Sequence, residues 1–257
     1  MVESGSLMEP TPLVPEEGSA FGRMFNVLAA PGDVFREIKE RPVNHANWVV
    51  PAITWSIIGI ACIFLLFSQD WAMYEVSKAQ EKAMQEQVRR GKMKQEQADQ
   101  ALEMTRRFMP VMVKVGGTLA TLVGAFGCPF FWGFVIWFLA NKVFKADIEY
   151  MKGVEAAGLA LIIYALAALL GTLFSMVMGK LAYLSPAYFL KEFDFTNKLH
   201  FALAALNPFY VWFAAVIATA TAALSGVSWG KAAVWVFGLW IGVRAVLIAI
   251  NLGQMVM

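Results

Sequence analysis

Five long apolar stretches dominate the pattern of hydrophobic and polar positions along the chain. Each is close to the roughly 20 residues that an α-helix needs to cross about 30 Å of hydrocarbon. Within lipid, backbone polar groups must be satisfied inside the segment, which favours helices over other structures. The pattern therefore predicts an all-α fold, with a five-helix transmembrane bundle in a membrane domain over residues 48–257. The predicted spans lie at about residues 48–68, 115–139, 156–178, 201–224 and 229–252.

The first 20 residues carry acidic residues and prolines but no lysine or arginine. A secretory signal peptide needs a positively charged start followed by a continuous apolar core. Low hydrophobicity combined with charges of one sign favours an unfolded segment. We predict a disordered acidic tail over residues 1–20, so that the first span itself directs membrane insertion.

Residues 21–47 contain two short apolar stripes at helical spacing, separated by a Pro-Gly pair. The stripe residues are Phe21, Met24, Phe25 and Leu28, followed by Val34, Phe35 and Ile38. Amphipathic helices placed directly before a span are suited to the plane of the membrane surface. Packing on a soluble partner is the alternative. We predict N-terminal interfacial amphipathic helices over residues 21–47.

The one sizeable polar insertion, residues 70–113, lies between spans one and two. It is rich in Gln, Glu, Lys, Met and Ala, which favour helix, and Gly91 separates two helical runs. In the second run an apolar face is expected at Ala98, Ala101, Leu102, Phe108 and Met109. This pattern predicts an extramembrane helical hairpin whose arms are each roughly 30 Å long.

Composition and charge exclude several classes of protein. The chain is 59% hydrophobic and only 16% charged, and its mean hydropathy is +0.58. A soluble domain carries about 25% charged residues, so a soluble globular enzyme is excluded. The net charge of +2 lacks the concentrated basic face that nucleic-acid binding requires. Cys62 and Cys128 fall inside apolar stretches without a paired motif, which indicates buried hydrophobic roles.

No group of residues in the sequence has the spacing of a catalytic or metal site. The G-x-S-x-G pattern around Ser228 lacks the strand before it and the His and acid after it that a hydrolase elbow requires. We interpret Ser228 as the N-cap of the fifth span. His45 and His200 fall on opposite membrane faces and cannot share a metal ion. We therefore predict no catalytic residue, no metal ion and no cofactor.

Arg244 is the one charge that the pattern places well inside a span. A charge buried in a bilayer is costly and by default marks a functional position. The structural alternative is that its side chain reaches the nearer membrane surface, or that it pairs with Asp70 or Glu75. No predicted span contains an acid, and Glu155 falls at the opposite face.

Four further residues are candidates for a functional or helix-contact role. A polar amide and a proline lie in the fourth span at Asn207 and Pro208, where the amide can hydrogen-bond across helices. Two glycines four residues apart in the fifth span provide a small-residue face for close helix contact. Bundle packing is the alternative to a ligand site for all four. With Arg244, the candidate residues are Asn207, Trp212, Gly238 and Gly242.

The distribution of basic residues bears on orientation. Lysines and arginines near the membrane are more frequent in the segments that share a side with the N-terminus. This favours a cytoplasmic N-terminus by the positive-inside rule. Counting the basic residues of the hairpin, which lies on the opposite side, erases that bias.

Several motifs resemble a known family. They are the segment Pro31-Gly32-Asp33-Val34-Phe35-Arg36-Glu37-Ile38, an early proline at Pro51, the run Leu206-Asn207-Pro208-Phe209-Tyr210-Val211-Trp212, and Lys231-Ala232 after a serine-bearing turn. Over about residues 21–252 the chain resembles the Yip family, the Ypt/Rab-interacting-protein domain of five-span membrane proteins, in its prokaryotic branch. The DLYGP-type motif of eukaryotic members is missing, which argues against a Rab-type GTPase partner. The resemblance implies a non-enzymatic protein with a cytoplasmic N-terminus.

Two functions fit this pattern. The first is an integral membrane scaffold, adaptor or accessory subunit in a prokaryotic inner (cytoplasmic) membrane. It would bind other membrane subunits or itself through the hairpin and its lipid-embedded faces. The alternative is a small-solute transporter or channel component that uses Arg244 and Asn207 within the bundle.

Overall fold

The computed structural model describes residues 18–190, 193–194 and 197–250. The predicted acidic tail up to residue 17 and the predicted end of the fifth span lie outside the described residues. All regular secondary structure in the described part of the chain is helical. The α-helices are α1 (Ala20–Ala29), α2 (Pro31–Glu40), α3 (Ala46–Leu66), α4 (Asp70–Arg89), α5 (Gln95–Phe138), α6 (Tyr150–Leu159), α7 (Ile162–Met178), α8 (Lys198–Ala205), α9 (Pro208–Ser225) and α10 (Trp229–Ala249).

Five helical segments of the described chain are long and apolar enough to cross a membrane, which confirms the five predicted spans. They are Ala46–Leu66, Arg107–Val143, Tyr150–Met178, Pro208–Ser225 and Trp229–Ala249. The third begins six residues before its predicted start, so it takes in Lys152 and Glu155. The fourth begins at Pro208, because Asn207 caps α9 at this point and the preceding residues form the separate helix α8.

The hairpin between spans one and two is formed by α4 and the N-terminal part of α5. Gly91 lies in the turn with φ +68°, a left-handed conformation that glycine adopts without steric cost. The second arm and the second span form one helix, because α5 continues for 44 residues, about 66 Å. Pro110 and Pro129 lie inside this helix without ending it. The hairpin is therefore a rigid extension of span two.

The core is centred on α6, which is buried at every residue from Lys152 to Leu159. Two glycines of α6 allow neighbouring helices to approach closely. A Cβ atom at Gly153 would lie 2.5 Å from the carbonyl oxygen of Gly133 on α5. A Cβ atom at Gly158 would overlap the Cα and Cβ atoms of Trp48 on α3. Because glycine has no side chain, α6 packs closely against both α5 and α3.

The two N-terminal helices bury much of their apolar stripes against the bundle, whereas Phe21 and Phe25 of α1 are exposed. Met24, Val34, Phe35 and Ile38 are part of the main core cluster, and α2 packs on α9. The bundle covers these buried side chains, and the placement of the two helices at the membrane surface stays a prediction. Periodicity identified the apolar face but carries no information on what covers it.

Candidate functional site

Arg244 lies five residues before the last residue of α10. Its guanidinium carbon is 4.1 Å from the ring centroid of Trp240 and 5.6 Å from that of Tyr210 on α9. Side chains of a helix lean toward its N-terminus, and Trp240 lies one turn in that direction. The guanidinium therefore points deeper into the bundle instead of reaching outward to the nearer membrane surface.

The expected acidic partners of Arg244 are engaged elsewhere or exposed. An oxygen of Glu75 accepts a hydrogen bond of 2.9 Å from the backbone N–H of Leu181, and Asp70 is exposed. Among the described residues Arg244 makes no ion pair, and its Nε is buried without an acceptor. The Nε1 of Trp240 is also buried without an acceptor. Contact with aromatic faces offsets only part of the cost of burying a guanidinium, by up to about 2 kcal/mol.

Asn207 and Trp212 have structural roles in α9. The side-chain oxygen of Asn207 accepts a hydrogen bond of 2.9 Å from the backbone N–H of Phe209, which is an N-cap within one helix and not a bond across helices. Trp212 is half-buried against the core. Asn207 and Trp212 thus make local contacts in and around α9, and a shared ligand site with Arg244 stays a prediction.

A cavity of about 280 Å³ lies between α7, the α7–α8 loop and the α8–α9 junction. Tyr210 and Asn207 both line it, and so does Tyr183 of the loop. Burial raises the pKa of the Tyr183 hydroxyl to about 12, and the nearby Glu75 carboxylate adds to the effect. The Tyr183 hydroxyl is accordingly neutral across the physiological range. Most of the remaining lining is apolar, from residues such as Leu66.

Gly238 and Gly242 face away from the other described residues. A Cβ atom at either position would meet no described atom within 4 Å. The close helix contact expected at these glycines is therefore not made with any described residue, and Gly133, Gly153 and Gly158 make such contacts instead. Gly238 and Gly242 are four residues apart, whereas Gly153 and Gly158 are five apart, so the four-residue spacing indicated the pair that makes no such contact.

A buried polar cluster, which the sequence analysis missed, lies where α3 and α6 begin. Lys152 Nζ is 2.6 Å from one carboxylate oxygen of Glu155 and 3.0 Å from the backbone oxygen of Arg41, and it donates to both. Asn47 Nδ2 donates to the second Glu155 oxygen over 2.6 Å. Glu155 is 1% exposed and Asn47 is fully buried. The expectation that no span contains an acid is therefore wrong.

A second charged group continues this cluster into the N-terminal helices. The buried Arg23 of α1 donates to one Glu37 oxygen from Nε and Nη2, over 3.1 and 2.9 Å. Arg41 approaches the same oxygen to 3.3 Å. Through its side chain and its backbone carbonyl, Arg41 connects the pair on α1 and α2 to Lys152 on α6. The two groups together attach α1 and α2 to the bundle.

Burial of this cluster has a definite energetic meaning. Removing one partner of a buried ion pair costs about 3–5 kcal/mol, because the other charge is left without compensation. The signal in the sequence is the pair Lys152 and Glu155 at i, i+3, beside glycines in an otherwise apolar segment. The hydropathy pattern instead placed both residues before the span. The cluster is a structural link that positions the N-terminal helices.

The remaining residues considered for chemistry make local contacts. The Nδ1 atom of His45 accepts from Trp48 Nε1 over 3.3 Å, and that of His200 accepts from the backbone N–H of Asp194 over 2.8 Å. Ser228 occupies the N-cap position of α10, but its side chain makes no capping hydrogen bond. Within the described residues no group of three or more His, Cys, Asp or Glu side chains is arranged to hold a metal ion.

The architecture agrees with a comparison against known protein families. The Yip1 domain family matches residues 25–250, a range that takes in α2 to α10, the five candidate spans and the hairpin. No curated protein and no solved structure matches the chain. Because the family match covers nearly the whole chain, this five-span membrane protein belongs to the Yip1 domain family.

Proposed function

We propose that this protein is a membrane scaffold or adaptor that has no enzymatic activity and binds a partner protein through its helical hairpin. Yip1 family members are generally non-enzymatic membrane-trafficking proteins. The observation that carries the proposal is an exposed apolar stripe on α5, which we call the hairpin stripe. It consists of Met104, Phe108, Val111 and Met112.

The position of the hairpin stripe relative to the membrane follows from Lys114. The Lys114 ammonium lies 5.8 Å from the ring centroid of Phe64, close to the end of α3, which marks the limit of the hydrocarbon layer. At 1.5 Å per residue, Met104 is about 15 Å and Phe108 about 9 Å further along α5. The headgroup layer adds only about 5–8 Å on each side. The apolar segment Arg107–Val143 is about 56 Å long, more than the roughly 30 Å of hydrocarbon. With the limit at Lys114, its first residues and Met104 therefore extend beyond the lipid that would cover them.

The hairpin stripe is distinct from the face that joins the two arms. Ala98 and Met109 of α5 and Ala72 of α4 are buried between the arms. By contrast, Met104 is 65% exposed and Phe108 is 49% exposed, so the single apolar face expected from the sequence is divided between two sides of α5. Apolar side chains clustered on an exposed surface are typical of protein interaction sites. The second apolar face supports a protein partner, either another subunit or a second copy of the chain.

The rigid connection of the hairpin to the bundle supports a scaffold role. The arm and span two are one helix, and Glu75 on α4 bonds to the α7–α8 loop. A bound partner would thus be held in a defined position relative to the membrane. In this proposal the N-terminus and the cluster around Glu155 are cytoplasmic, the hairpin is on the opposite side, and the membrane is a prokaryotic inner membrane.

The proposal is tested by placing two charges on the hairpin stripe. The complex with a stoichiometric partner, or the self-associated form, would be purified in mild detergent. Its yield should fall at least roughly tenfold in the double variant Met104→Glu/Phe108→Glu. Gln87→Glu/Gln100→Glu is the matched control, since it adds the same charge at exposed polar positions of the two arms. An unchanged yield of complex from the first variant, with both proteins monodisperse, would refute docking at the hairpin.

A further inference from the structure

We propose that Arg244, Trp240 and Tyr210 form a binding site for the phosphate of an anionic lipid from the leaflet on the hairpin side of the membrane. The site is separate from the hairpin stripe and does not depend on the function proposed for it. It accounts for a charge and for two donors that the described chain leaves unsatisfied.

The first argument is the charge of Arg244. A guanidinium is protonated at all physiological pH values, and this one has no carboxylate partner among the described residues. Its neighbours are the aromatic faces of Trp240 and Tyr210. A cation within the hydrocarbon layer is costly unless an anion accompanies it. The anion must therefore come from outside this part of the chain.

The second argument is the set of hydrogen-bond donors. Arg244 Nε and Trp240 Nε1 are both buried without an acceptor, and Trp240 is only 5% exposed. The Arg244 guanidinium carbon lies 4.1 Å from the Trp240 ring centroid, so the two donors belong to one small region. A phosphate carries several acceptor oxygens and binds arginine in a bidentate geometry. One phosphate group can accept from both side chains.

The third argument identifies a lipid as the source of the phosphate. Arg244 is about 7.5 Å along α10 from its end, and its side chain points toward the deeper Trp240. A water-soluble anion would have to enter this layer unaided, whereas the acyl chains of a lipid anchor its phosphate at the edge of the layer, from which local thinning of the bilayer brings it to Arg244. Val243 and Val246 beside Arg244 are exposed apolar residues along which acyl chains can lie.

The binding experiment uses the full-length protein, purified in a neutral detergent and stripped of lipid. Native mass spectrometry and thermal unfolding would be recorded during titration with phosphatidylglycerol, and with phosphatidylcholine for comparison. We expect phosphatidylglycerol to bind at least roughly tenfold more tightly than phosphatidylcholine. Arg244→Gln should abolish that preference. Trp240→Phe keeps the ring but removes the N–H, and should weaken binding by roughly 3- to 10-fold.

The control variant is Lys231→Gln, which removes a cation from the exposed opposite end of the same helix and should leave the preference unchanged. If the wild type, Arg244→Gln and Trp240→Phe all show the same preference for phosphatidylglycerol over phosphatidylcholine, the proposed site is refuted. If Arg244→Gln does not fold, the Trp240→Phe result decides. Thermal stabilisation by millimolar glycerol 3-phosphate in place of lipid, lost in the same variants, would contradict the lipid source and assign the site to a soluble organophosphate.

Discussion

Replacing Glu155 with glutamine would test the buried polar cluster directly. The change keeps the size of the side chain but removes the charge that faces Lys152 and Asn47. In the native protein one carboxylate oxygen accepts from Lys152 Nζ and the other from Asn47 Nδ2, both at 2.6 Å. A glutamine amide has one oxygen and one N–H₂ group, so it can accept from only one of these donors. Its nitrogen would then face a second donor.

The expected cost follows from the burial of the partners. Lys152 has a side chain that is 9% exposed, so in Glu155→Gln its buried ammonium is left without a compensating negative charge. Loss of one partner from a buried ion pair costs about 3–5 kcal/mol. Removing both charges in Lys152→Met/Glu155→Gln eliminates the isolated cation, and the glutamine oxygen can still accept from Asn47. The double variant should therefore be more stable than Glu155→Gln by at least about 2 kcal/mol.

The free energy of unfolding would be measured by SDS titration of the protein in detergent, for both single variants and the double variant. Limited trypsin digestion near Arg41 provides a second readout, because the Lys152 bond to the Arg41 carbonyl helps to hold α2 on the bundle. Glu149→Gln, at an exposed acid directly before α6, is the control. A loss below about 1 kcal/mol for Glu155→Gln, or strictly additive costs in the double variant, would refute the reasoning.

Two further predictions concern helix contact and topology. Gly158→Ala should lower the melting temperature markedly, because the new Cβ atom overlaps backbone and side-chain atoms of Trp48. Gly242→Ala should have little effect, because nothing described lies within 4 Å of its Cβ position. Equal melting temperatures of the two variants would contradict the α3–α6 contact. Cysteines introduced at Gln85 and Lys145 should be labelled by an impermeant reagent from opposite sides of sealed vesicles, and labelling of both from one side would disprove the proposed orientation.

The number of spans and the hairpin could be predicted from the sequence because they depend on local properties. About 20 consecutive apolar residues require a membrane environment, and the backbone in that environment must be helical. Helix-favouring residues on both sides of Gly91 were sufficient to predict the two arms. The prolines of α5 do not end the helix, since a long helix supported by neighbours tolerates a residue such as Pro129.

The surroundings of the charged residues depended on tertiary structure. The depth of Arg244 could be estimated from its position in the span, but its contact with Tyr210 depends on how α9 and α10 pack together. Glu155 was assigned to a loop, because in a hydropathy pattern a charge ends a span. Hydrogen bonds from Lys152 and Asn47 offset the cost of burying that charge in the core, and Asn47 comes from a different helix.

Helix contacts show most clearly what the sequence determines and what the tertiary structure decides. The sequence by itself determined that small residues such as Gly158 and Gly242 are present in the spans. The tertiary structure decided that Gly158 faces Trp48 and that Gly242 faces away from the rest of the described chain. The physical reason is that the rotation of a helix about its axis depends on the shapes of all its neighbours. A membrane-spanning helix is apolar on nearly every face, so its hydropathy does not show which face contacts the other helices.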